Sequence, residues 1–440
     1  MTYRQALLYL NSLINYEKQN SYDYNRSFSL DRMIRLCRKL GDPQDGIKSI
    51  HVAGSKGKGS TSVFIYSILK SAGYKVGLYT SPHLVSFRER IRINDILISE
   101  ESFAGILGDV KKAIESIPEE EYSFFEAFTA LCYLYFNKKR LDFAVYEVGL
   151  GGRLDATNLV MPLVSVITPI SYEHTDKLGN TLGRIALEKS GIIKDNGICV
   201  SAPQQEEAYR AIEEICKKRR ARLISIGTDI TIGSDKATVK GGEFDLSGIF
   251  GTCLRLKTRL LGSHQIVNAA TAAAAIGCLK YAGIGISGEA IRSGLLNASW
   301  PGRLEVISAS PKIILDGAQN RASAKALADS IRNIFGLRKL ILVLGVSRDK
   351  DISGILDELL PIAGKVILTK ARVTERATEP AEIMARIGDH SMETVLTSGV
   401  EEAVLKARRN AGAKDAILIT GSLFIVGEAR KLLVDGYKDK

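Results

Sequence analysis

Hydrophobic residues in the first part of the chain follow two different periods. They recur at helical spacing through residues 6–14 and again through 30–40, which predicts two amphipathic helices. Compact apolar runs at 47–52, 75–79, 143–148 and 163–168 predict buried strands, with helical stretches between them. Strands that alternate with helices indicate parallel βαβ units, so we expect an α/β sheet that is covered on both faces.

The pattern changes after residue 220. Residues 221–261 are rich in Gly, Thr and alternating apolar positions, and they predict a small antiparallel excursion. An alanine-rich helix at 268–279 resumes the earlier pattern, and Ala-Ser-Trp-Pro-Gly-Arg at 298–303 predicts a hinge. Four more strands are predicted at 312–315, 339–344, 365–368 and 416–420. We therefore expect two unequal α/β domains, 1–298 and 299–440.

Composition limits the class of protein. Of the 440 residues, 45% are hydrophobic and 25% are charged, which is ordinary for a soluble globular protein. No signal peptide is recognisable, and no apolar stretch approaches the roughly 20 residues of a membrane span. Six scattered cysteines without a C-x-x-C pair argue against a zinc site or a disulfide framework. We expect a cytoplasmic protein without a membrane partner.

The net charge of +11 raises the question of nucleic acid, since Lys217-Lys218-Arg219-Arg220 is a dense basic run. No aromatic residues are interleaved with this run, so we interpret it as the solvated end of a helix and expect no nucleic-acid partner. A basic balance also suits small anionic substrates such as nucleotides.

One local motif carries clear chemistry. A predicted strand runs into Gly54-Ser55-Lys56-Gly57-Lys58-Gly59-Ser60 and then into a helix. Glycines let backbone N–H groups approach phosphate oxygens, and the helix N-terminus and Lys58 add positive charge. The spacing departs from a standard P-loop, with two residues between Gly54 and Gly57 instead of four. The residues alone leave open a nucleotide site or a tight basic turn.

This loop and a set of later motifs resemble the folylpolyglutamate/dihydrofolate synthases, relatives of the Mur cell-wall ligases. The resemblance covers the chain from end to end, and the motifs occur in the family's order. They are TSPHL at 80–84, EVGLGGRLDATN at 147–158, HTDKLG at 174–179, EKSGIIK at 188–194, GSHQIVNA at 262–269, WPGRLE at 300–305, DGA at 316–318 and TGSL at 420–423.

The resemblance implies a fold and an activity. The fold would be a P-loop-type parallel or mixed sheet domain with a small β excursion, followed by a smaller C-terminal Rossmann-like α/β domain. The activity would be that of an ATP-dependent ligase that activates a folate-type carboxylate as an acyl phosphate and joins it to L-glutamate. The implied cofactors are ATP and Mg²⁺, with two ions, and the implied acid is dihydropteroate or a reduced folate. We expect a monomer.

The resemblance also assigns roles to individual residues. Lys58, Lys189 and His174 are the expected catalytic residues, and Lys189 would be carbamylated. Those expected to bind ATP are Gly54, Gly57, Lys58, Gly59, Ser60, Asn268, Arg303 and Asp316. Ser81, Glu147 and His174 would hold Mg²⁺, and Phe125, Asp155 and Gln319 would meet the folate or glutamate substrate.

Each assignment has a plainer alternative when the residue is taken alone. Ser60 and Ser81 could cap helices, Glu147 could form a structural salt bridge, and His174 could be a structural histidine. Phe125 could be a core aromatic residue. Lys189 could be a surface lysine that pairs with Glu188 or Asp195.

Three positions depart from the family's usual residues. Lys56 replaces Asn and adds a cation beside the phosphates, which could help ATP binding or merely point outward. Glu173 replaces Asp before His174. Gln319 replaces His, so any role of that histidine in orienting phosphate or glutamate would pass to an amide that carries no proton at neutral pH.

Two rival functions remain within the same class, a dihydrofolate synthase only and a ligase that adds an amino acid to a UDP-muramoyl precursor. A third is a P-loop switch that hydrolyses nucleotide only to change partners. Such a switch would not need the Lys189 segment or a second domain with Arg303 and Asp316.

Overall fold

The computed structural model describes residues 1–17, 19, 22–337, 339–388 and 392–434. The helices up to residue 300 are α1 (Tyr3–Ser12), α2 (Tyr24–Ser27), α3 (Leu30–Lys39), α4 (Lys58–Ser71), α5 (Glu100–Glu115), α6 (Phe124–Lys139), α7 (Thr175–Leu178), α8 (Leu182–Ser190), α9 (Glu206–Lys218), α10 (Ser263–Cys278) and α11 (Gly288–Asn297). The strands are β1 (Lys48–Ala53), β2 (Val76–Tyr79), β3 (Ile91–Ile93), β4 (Ile96–Leu97), β5 (Phe143–Glu147), β6 (Val164–Ile167), β7 (Ile198–Ser201), β8 (Arg222–Ser225), β9 (Ile230–Thr238), β10 (Gly241–Gly248) and β11 (Gly251–Thr258).

The later residues add five helices and six strands within the part of the chain that the structure describes. The helices are α12 (Arg321–Asn333), α13 (Ile352–Leu359), α14 (Pro380–Ile387), α15 (Val400–Asn410) and α16 (Leu423–Leu433). The strands are β12 (Glu305–Ala309), β13 (Lys312–Leu315), β14 (Leu340–Leu344), β15 (Ala363–Leu368), β16 (Glu393–Leu396) and β17 (Ala416–Thr420).

The first sheet has eight strands in the order β4-β3-β2-β5-β1-β6-β7-β8. Strands β2, β5, β1, β6, β7 and β8 run parallel, while β3 and β4 add an antiparallel edge. Alternate residues of β5 face opposite layers: Phe143 and Val145 pack in the core with α4 and α10, and Ala144 and Tyr146 pack with α5 and α6. This two-sided burial explains why the parallel strands read as continuous apolar runs.

The antiparallel excursion is shorter than the sequence predicts. Strands β9, β10 and β11 form a separate three-stranded sheet in the order β11-β10-β9, within residues 230–258. The start of the predicted segment instead forms β8, which pairs parallel with β7 and belongs to the first sheet. The small sheet packs Phe244 and Leu246 against the apolar core that contains α10. That helix is buried almost all round, since its alanines allow close approach from several sides.

The second large sheet has six strands in the order β12-β13-β17-β14-β15-β16, all parallel except β12. Alternate residues again serve two cores. Leu342 and Leu344 of β14 pack beside α12 and α13, and Ile341 and Val343 pack beside α15 and α16. The protein is therefore a mixed α/β structure with two covered, mainly parallel sheets. Within the described residues, no helix has the length and apolar character to cross a membrane.

Candidate active site

A cavity of about 520 Å³ lies between the two large sheets. In a parallel sheet the carboxyl ends of the strands share one edge, which is where ligands bind. The loops after β1, β2, β5 and β6 line one side of the cavity, and the loops after β13, β14 and β17 line the other. We call the lining residues between 15 and 268 the N-terminal wall and those between 303 and 424 the C-terminal wall.

The glycine-rich loop joins β1 to α4 at the centre of the N-terminal wall. Gly57 is the N-cap of α4 and has φ of +81°, a left-handed conformation that suits glycine. A side chain at Gly57 would also collide with the amide of Asn268. The backbone N–H groups of Ser55 and Lys56 both donate to the Pro169 carbonyl at 3.1 Å, which fixes the loop against the end of β6. The N-terminus of α4, with Lys58, Gly59 and Ser60, therefore borders the cavity, and a helix N-terminus beside a lysine favours an anion.

Two lysines meet behind this loop. Lys58 Nζ and Lys189 Nζ each donate to the Gly54 carbonyl at 2.9 Å. Lys189 Nζ also pairs with Glu173 Oε1 at 2.8 Å, and only 2% of its side chain is exposed. Burial lowers the pKa of Lys189, although Glu173 opposes that shift. Lys189 is thus not the surface lysine paired with Glu188 or Asp195 that its sequence also allowed.

Glu173 is the carboxylate of this cluster. Burial alone would raise its pKa, but Lys189, Lys58, His174 and Lys56 outweigh burial and hold the pKa at about 2. A carboxylate among four basic side chains stays ionised and makes close packing of those side chains possible. Glu173, which stands where the resembled family usually has Asp, reaches Lys189 with its carboxylate.

Glu147 ends β5 and faces the cavity. The Ser81 backbone N–H donates to Glu147 Oε2 at 3.2 Å, so two of the predicted metal ligands lie side by side. Burial raises the pKa of Glu147 to about 7, against the opposing effect of Lys58 and the Ser81 N–H. A buried carboxyl group that borders a cavity is stabilised in its charged form by a cation. Neither Ser60 nor Ser81 is a helix N-cap, since Gly57 caps α4 and no helix begins at Ser81.

His174 is the third predicted metal ligand and also borders the cavity. Its φ of +48° is a left-handed conformation, which is uncommon for residues other than glycine. Burial lowers the pKa of His174 to about 4, so the ring is neutral at pH 7 and able to donate a lone pair. Among the residues that the structure describes, no group of three His, Cys, Asp or Glu side chains forms a metal site by itself. A metal here would need oxygen from Ser81 or from a bound phosphate.

The C-terminal wall brings Arg303, Asp316 and Gln319 to the same cavity. Asp316 follows β13, and its two oxygens accept the N–H groups of Leu304 and Ala318, each at 2.9 Å. Burial raises the pKa of Asp316, while Arg303 and the two N–H groups oppose the rise. Gln319 lies just before α12, with its backbone N–H bound to Ser323 Oγ at 3.1 Å. Opposite them, Asn268 on α10 donates to Gln265 Oε1 at 3.0 Å.

The predicted folate contacts lie together on the N-terminal wall. Phe125, at the start of α6, covers Gly149, where a side chain would collide with the ring. Asp155 is fully buried, and its oxygens accept N–H groups from Gly149 (3.0 Å), Leu150 (2.9 Å) and Thr157 (3.0 Å). Asp155 therefore shapes the loop after β5 as well as bordering the cavity.

The structure adds functional candidates that the sequence did not single out. Tyr16, Tyr22 and Phe28 form an aromatic cluster over the cavity, with ring centroids 4.8 to 5.8 Å apart. The density of aromatic residues between 16 and 28 is a signal that could have indicated them. We call Tyr16, Glu17, Tyr22 and Phe28 the aromatic roof.

The aromatic roof contacts residues that belong to both large sheet regions of the protein. Glu17 pairs with the buried Arg90 through two hydrogen bonds of 2.8 and 2.6 Å, and Arg90 lies over Phe124 and Phe128. From the C-terminal wall, Arg376 Nη1 donates to the Glu17 carbonyl at 2.7 Å. No short motif indicates Arg90 or Arg376, because their partners are distant in the sequence.

Two family models match the chain. The Mur ligase middle domain matches residues 52–276, and the Mur ligase glutamate ligase domain matches residues 302–423. The first match contains the glycine-rich loop, and the second contains Arg303, Asp316 and Gln319.

Individual proteins are similar over nearly the whole chain. The dihydrofolate synthase/folylpolyglutamate synthase of Bacillus subtilis is 36% identical over 414 residues, with 92% of this chain and 94% of the relative covered. The structure of Mycobacterium tuberculosis folylpolyglutamate synthase complexed with ADP has a TM-score of 0.89 at 30% identity, with 98% of each chain covered. Escherichia coli FolC in complex with DHPP and ADP has a TM-score of 0.86 at 30% identity, with 98% of this chain and 97% of that chain covered.

Proposed function

Because the chain belongs to the folylpolyglutamate synthase/dihydrofolate synthase family of Mur ligases, we propose that its cavity is the active site of an ATP-dependent folate–glutamate ligase. The enzyme phosphorylates a folate-type carboxylate with ATP and then joins the acyl phosphate to the amine of L-glutamate. The observation that carries the assignment of the site is the convergence of two walls on one cavity. One wall offers a phosphate-binding loop, and the other offers Arg303, Asp316 and Gln319.

In this proposal the glycine-rich loop binds the ATP phosphates. The N–H groups of Gly57, Gly59 and Ser60 and the N-terminus of α4 face the phosphate oxygens, and Lys58 turns from the Gly54 carbonyl to the transferred phosphate. The charge of Lys58 stabilises the oxygens of that phosphate during transfer. Asn268 lies against the nucleotide, and Arg303 and Asp316 approach it from the C-terminal wall. Closure of the two walls excludes water, which would hydrolyse the acyl phosphate.

Ser81, Glu147 and His174 fit a Mg²⁺ site. Glu147 borders the cavity with a pKa raised by burial, so a cation beside it would favour its charged form. Mg²⁺ prefers oxygen ligands and keeps several from water or phosphate, in agreement with a set of few protein ligands. Bound there, the metal would neutralise charge on the phosphate oxygens. We propose two ions, as the resemblance implies.

We propose that Lys189 is carbamylated in the active enzyme. Burial lowers the pKa of Lys189, and the neutral amine is the form that attacks CO2 to give a carbamate and a released proton. A carbamate would carry negative charge and would separate from Glu173, freeing that carboxylate to face the cations of the N-terminal wall. Lys189→Ala is expected to be nearly inactive.

Carbamylation of Lys189 can be measured directly by NMR and through the CO2 dependence of activity. In ¹³C-bicarbonate, the wild type should show a carbamate carbonyl signal by NMR that Lys189→Ala lacks. Activity should fall after CO2 is stripped at mildly acidic pH and recover with bicarbonate. Normal turnover of Lys189→Ala, with no carbamate signal in the wild type, would leave the ion pair with Glu173 as the role of Lys189.

For the folate substrate we propose stacking on Phe125 and hydrogen bonding to Asp155, with Gln319 near the incoming glutamate. The acid would be dihydropteroate or a reduced folate. We propose a monomer with domains 1–298 and 299–440, because both walls come from one chain and the hinge lies at the start of the second sheet. Six free cysteines, five of them buried, suit a reducing cytoplasm.

One assay tests the proposed function. ATP, Mg²⁺ and L-glutamate are offered with dihydropteroate, tetrahydrofolate or a UDP-muramoyl acid in parallel, and phosphate and the new amide are both measured. We expect phosphate release that requires both a pteroate-type acid and glutamate. Product with dihydropteroate alone would restrict the enzyme to dihydrofolate synthesis, and product with the UDP-muramoyl acid would reassign the substrate. Phosphate release that needs neither acid nor glutamate would favour a nucleotide switch.

A further inference from the structure

The amine of Lys56 is buried on the N-terminal wall without a hydrogen-bond partner. Among the residues that the structure describes, none supplies a partner for Lys56 Nζ, although the side chain borders the cavity. Lys58 and Lys189, its two basic neighbours, both donate to the Gly54 carbonyl. Lys56 is therefore the lysine of the three whose amine makes no hydrogen bond, so all of its donors can go to a ligand.

The surroundings of Lys56 are mainly cationic. Burial lowers the pKa of Lys56 to about 8, Glu173 opposes the shift, and Lys58, Lys350 and Lys189 add to it. Glu173 is already paired with Lys189 at 2.8 Å. A buried polar group without a partner destabilises the fold, and a charged one does so more strongly. The position therefore favours an anion that arrives with the substrate.

The backbone around Lys56 is fixed against the end of β6. The N–H of Lys56 is bound to the Pro169 carbonyl at 3.1 Å, and Gly57 then turns the chain into α4. The first turn of α4 and Lys58 serve the phosphates that lie against the helix. Lys56 precedes this turn and lines the same cavity as Lys350 of the C-terminal wall, whose charge helps to lower the Lys56 pKa. A phosphate bound between the two walls would therefore be open to Lys56 as well as to the first turn of α4.

We propose that Lys56 is a second cationic ligand, beside Lys58, for the terminal phosphate of the bound nucleoside triphosphate. The inference rests on the proposed function and deepens it, because it makes Lys56 a residue that distinguishes triphosphate from diphosphate. ADP has no phosphate at that position, so a cation placed there favours ATP over ADP. The uncharged Asn of the resembled family would provide less discrimination.

Equilibrium titration tests this role with the full-length protein. ADP and a non-hydrolysable ATP analogue, each with Mg²⁺, are titrated into the wild type, Lys56→Met and Lys56→Asn. The matched control is Lys217→Met, which removes an exposed lysine near the end of α9. We expect Lys56→Met to raise the Kd of the analogue by about tenfold, equivalent to about 1.4 kcal/mol, and the Kd of ADP by less than about threefold. Lys56→Asn should lie between Lys56→Met and the wild type.

Several outcomes would overturn the inference. An equal loss of affinity for ADP and the analogue would place Lys56 at an inner phosphate. Unchanged affinity for both would show that Lys56 does not contact the nucleotide. A change confined to the KM for glutamate would place the amine at the amino-acid site. Thermal unfolding without nucleotide separates a structural role: loss of an unpartnered buried ammonium should leave Tm unchanged or raise it, while a lower Tm would assign Lys56 to folding.

The proposed function can fail separately. A wild type that binds neither nucleotide, or that forms no glutamyl product, contradicts the ligase assignment itself. A wild type that ligates glutamate, together with a Lys56→Met variant that does not discriminate between the analogue and ADP, contradicts only the role of Lys56.

Discussion

The two walls of the cavity differ in how their charges are satisfied. On the N-terminal wall, Lys56, Lys58, Glu147 and Glu173 are packed together, and burial and neighbouring charges move three of their pKa values far from the ordinary range. On the C-terminal wall, Asp316 binds N–H groups of its own strand ends and Lys350 binds Asp349 at 2.9 Å. The N-terminal wall thus keeps charged groups available for a ligand. On the C-terminal wall, Asp316 and Lys350 are already paired with protein groups.

This difference indicates a division of labour. Charges held in a buried, preorganised arrangement stabilise a transition state most effectively. A wall whose polar groups are already paired is better suited to position substrate and to close over it. Substitution of the charged groups that the N-terminal wall leaves available to a ligand should therefore act mainly on turnover and ligand affinity. Substitution of polar groups that are already paired, on either wall, should act mainly on stability.

Lys58→Ala should have the largest effect. Loss of the ammonium at the transferred phosphate is expected to reduce kcat by roughly 10²–10³, or about 3 to 4 kcal/mol in the barrier, with unchanged folding. Lys70→Ala is the matched control, since Lys70 lies at the far end of the same helix and pairs with Asp95 near the surface. Steady-state ligation and thermal unfolding are measured for both. Near-normal ligation by Lys58→Ala would contradict the phosphate-binding role of the loop.

Asp155→Asn should have the next largest effect, and it tests the N-terminal wall as a scaffold. The amide nitrogen of Asn cannot accept the N–H groups that one carboxylate oxygen now accepts from Gly149 and Leu150. Leaving buried donors unpaired costs about 1–3 kcal/mol each, so the free energy of unfolding in urea should fall by a few kcal/mol. Asp229→Asn is the control, because its carboxylate accepts one N–H, from Ser225, near the surface. Equal losses in the two variants would show that Asp155 has no special structural role.

Asp349→Asn tests the C-terminal wall through pH. Burial would raise the pKa of Asp349, but Arg376 and Lys350 outweigh burial and hold it below the ordinary range. A depressed carboxyl pKa stabilises the fold above the unfolded value of about 4, and this contribution is lost as the pH falls further. The wild type should thus lose stability below about pH 4 more steeply than Asp349→Asn. Parallel acid unfolding curves for the two proteins would contradict the prediction.

Gln319→His should have the smallest effect. The variant restores the residue that is usual in the resembled family, and Gln319 borders the cavity from a loop of the C-terminal wall. We expect near-normal kcat and a change in the KM for glutamate that depends on pH near 6.5, where histidine titrates. An unchanged KM for glutamate with several-fold weaker ATP binding would indicate that Gln319 contacts the nucleotide instead of glutamate.

Sequence alone predicted the buried parts of the fold well. Strands β13 and β17 begin and end at the predicted residues, because a strand buried on both faces is a continuous apolar run. Short strands such as β3 and β4 were missed, and β8 was assigned to the wrong sheet, because pairing partners are not visible in a local pattern.

The site was predictable only as far as local motifs extend. The glycine-rich loop and Glu147 were recognisable from a strand and the residues that follow it. The pairing of Lys189 with Glu173 and Gly54, by contrast, joins residues 16 and 135 positions apart. The unpartnered amine of Lys56 depends on all of them, so no spacing along the chain indicates it.

The attachment of the aromatic roof to both units has a consequence for the newly made chain. Glu17 and Arg376, which meet at 2.7 Å, are separated by 359 positions, or roughly 20 to 70 s of translation. During that interval Glu17 can pair with Arg90, but the hydrogen bond from Arg376 cannot yet form. The glycine-rich loop and its helix are synthesised early, but the C-terminal wall that borders the cavity is complete only after residue 424 has been added. Ligase activity is therefore one of the last properties that the chain acquires during its synthesis.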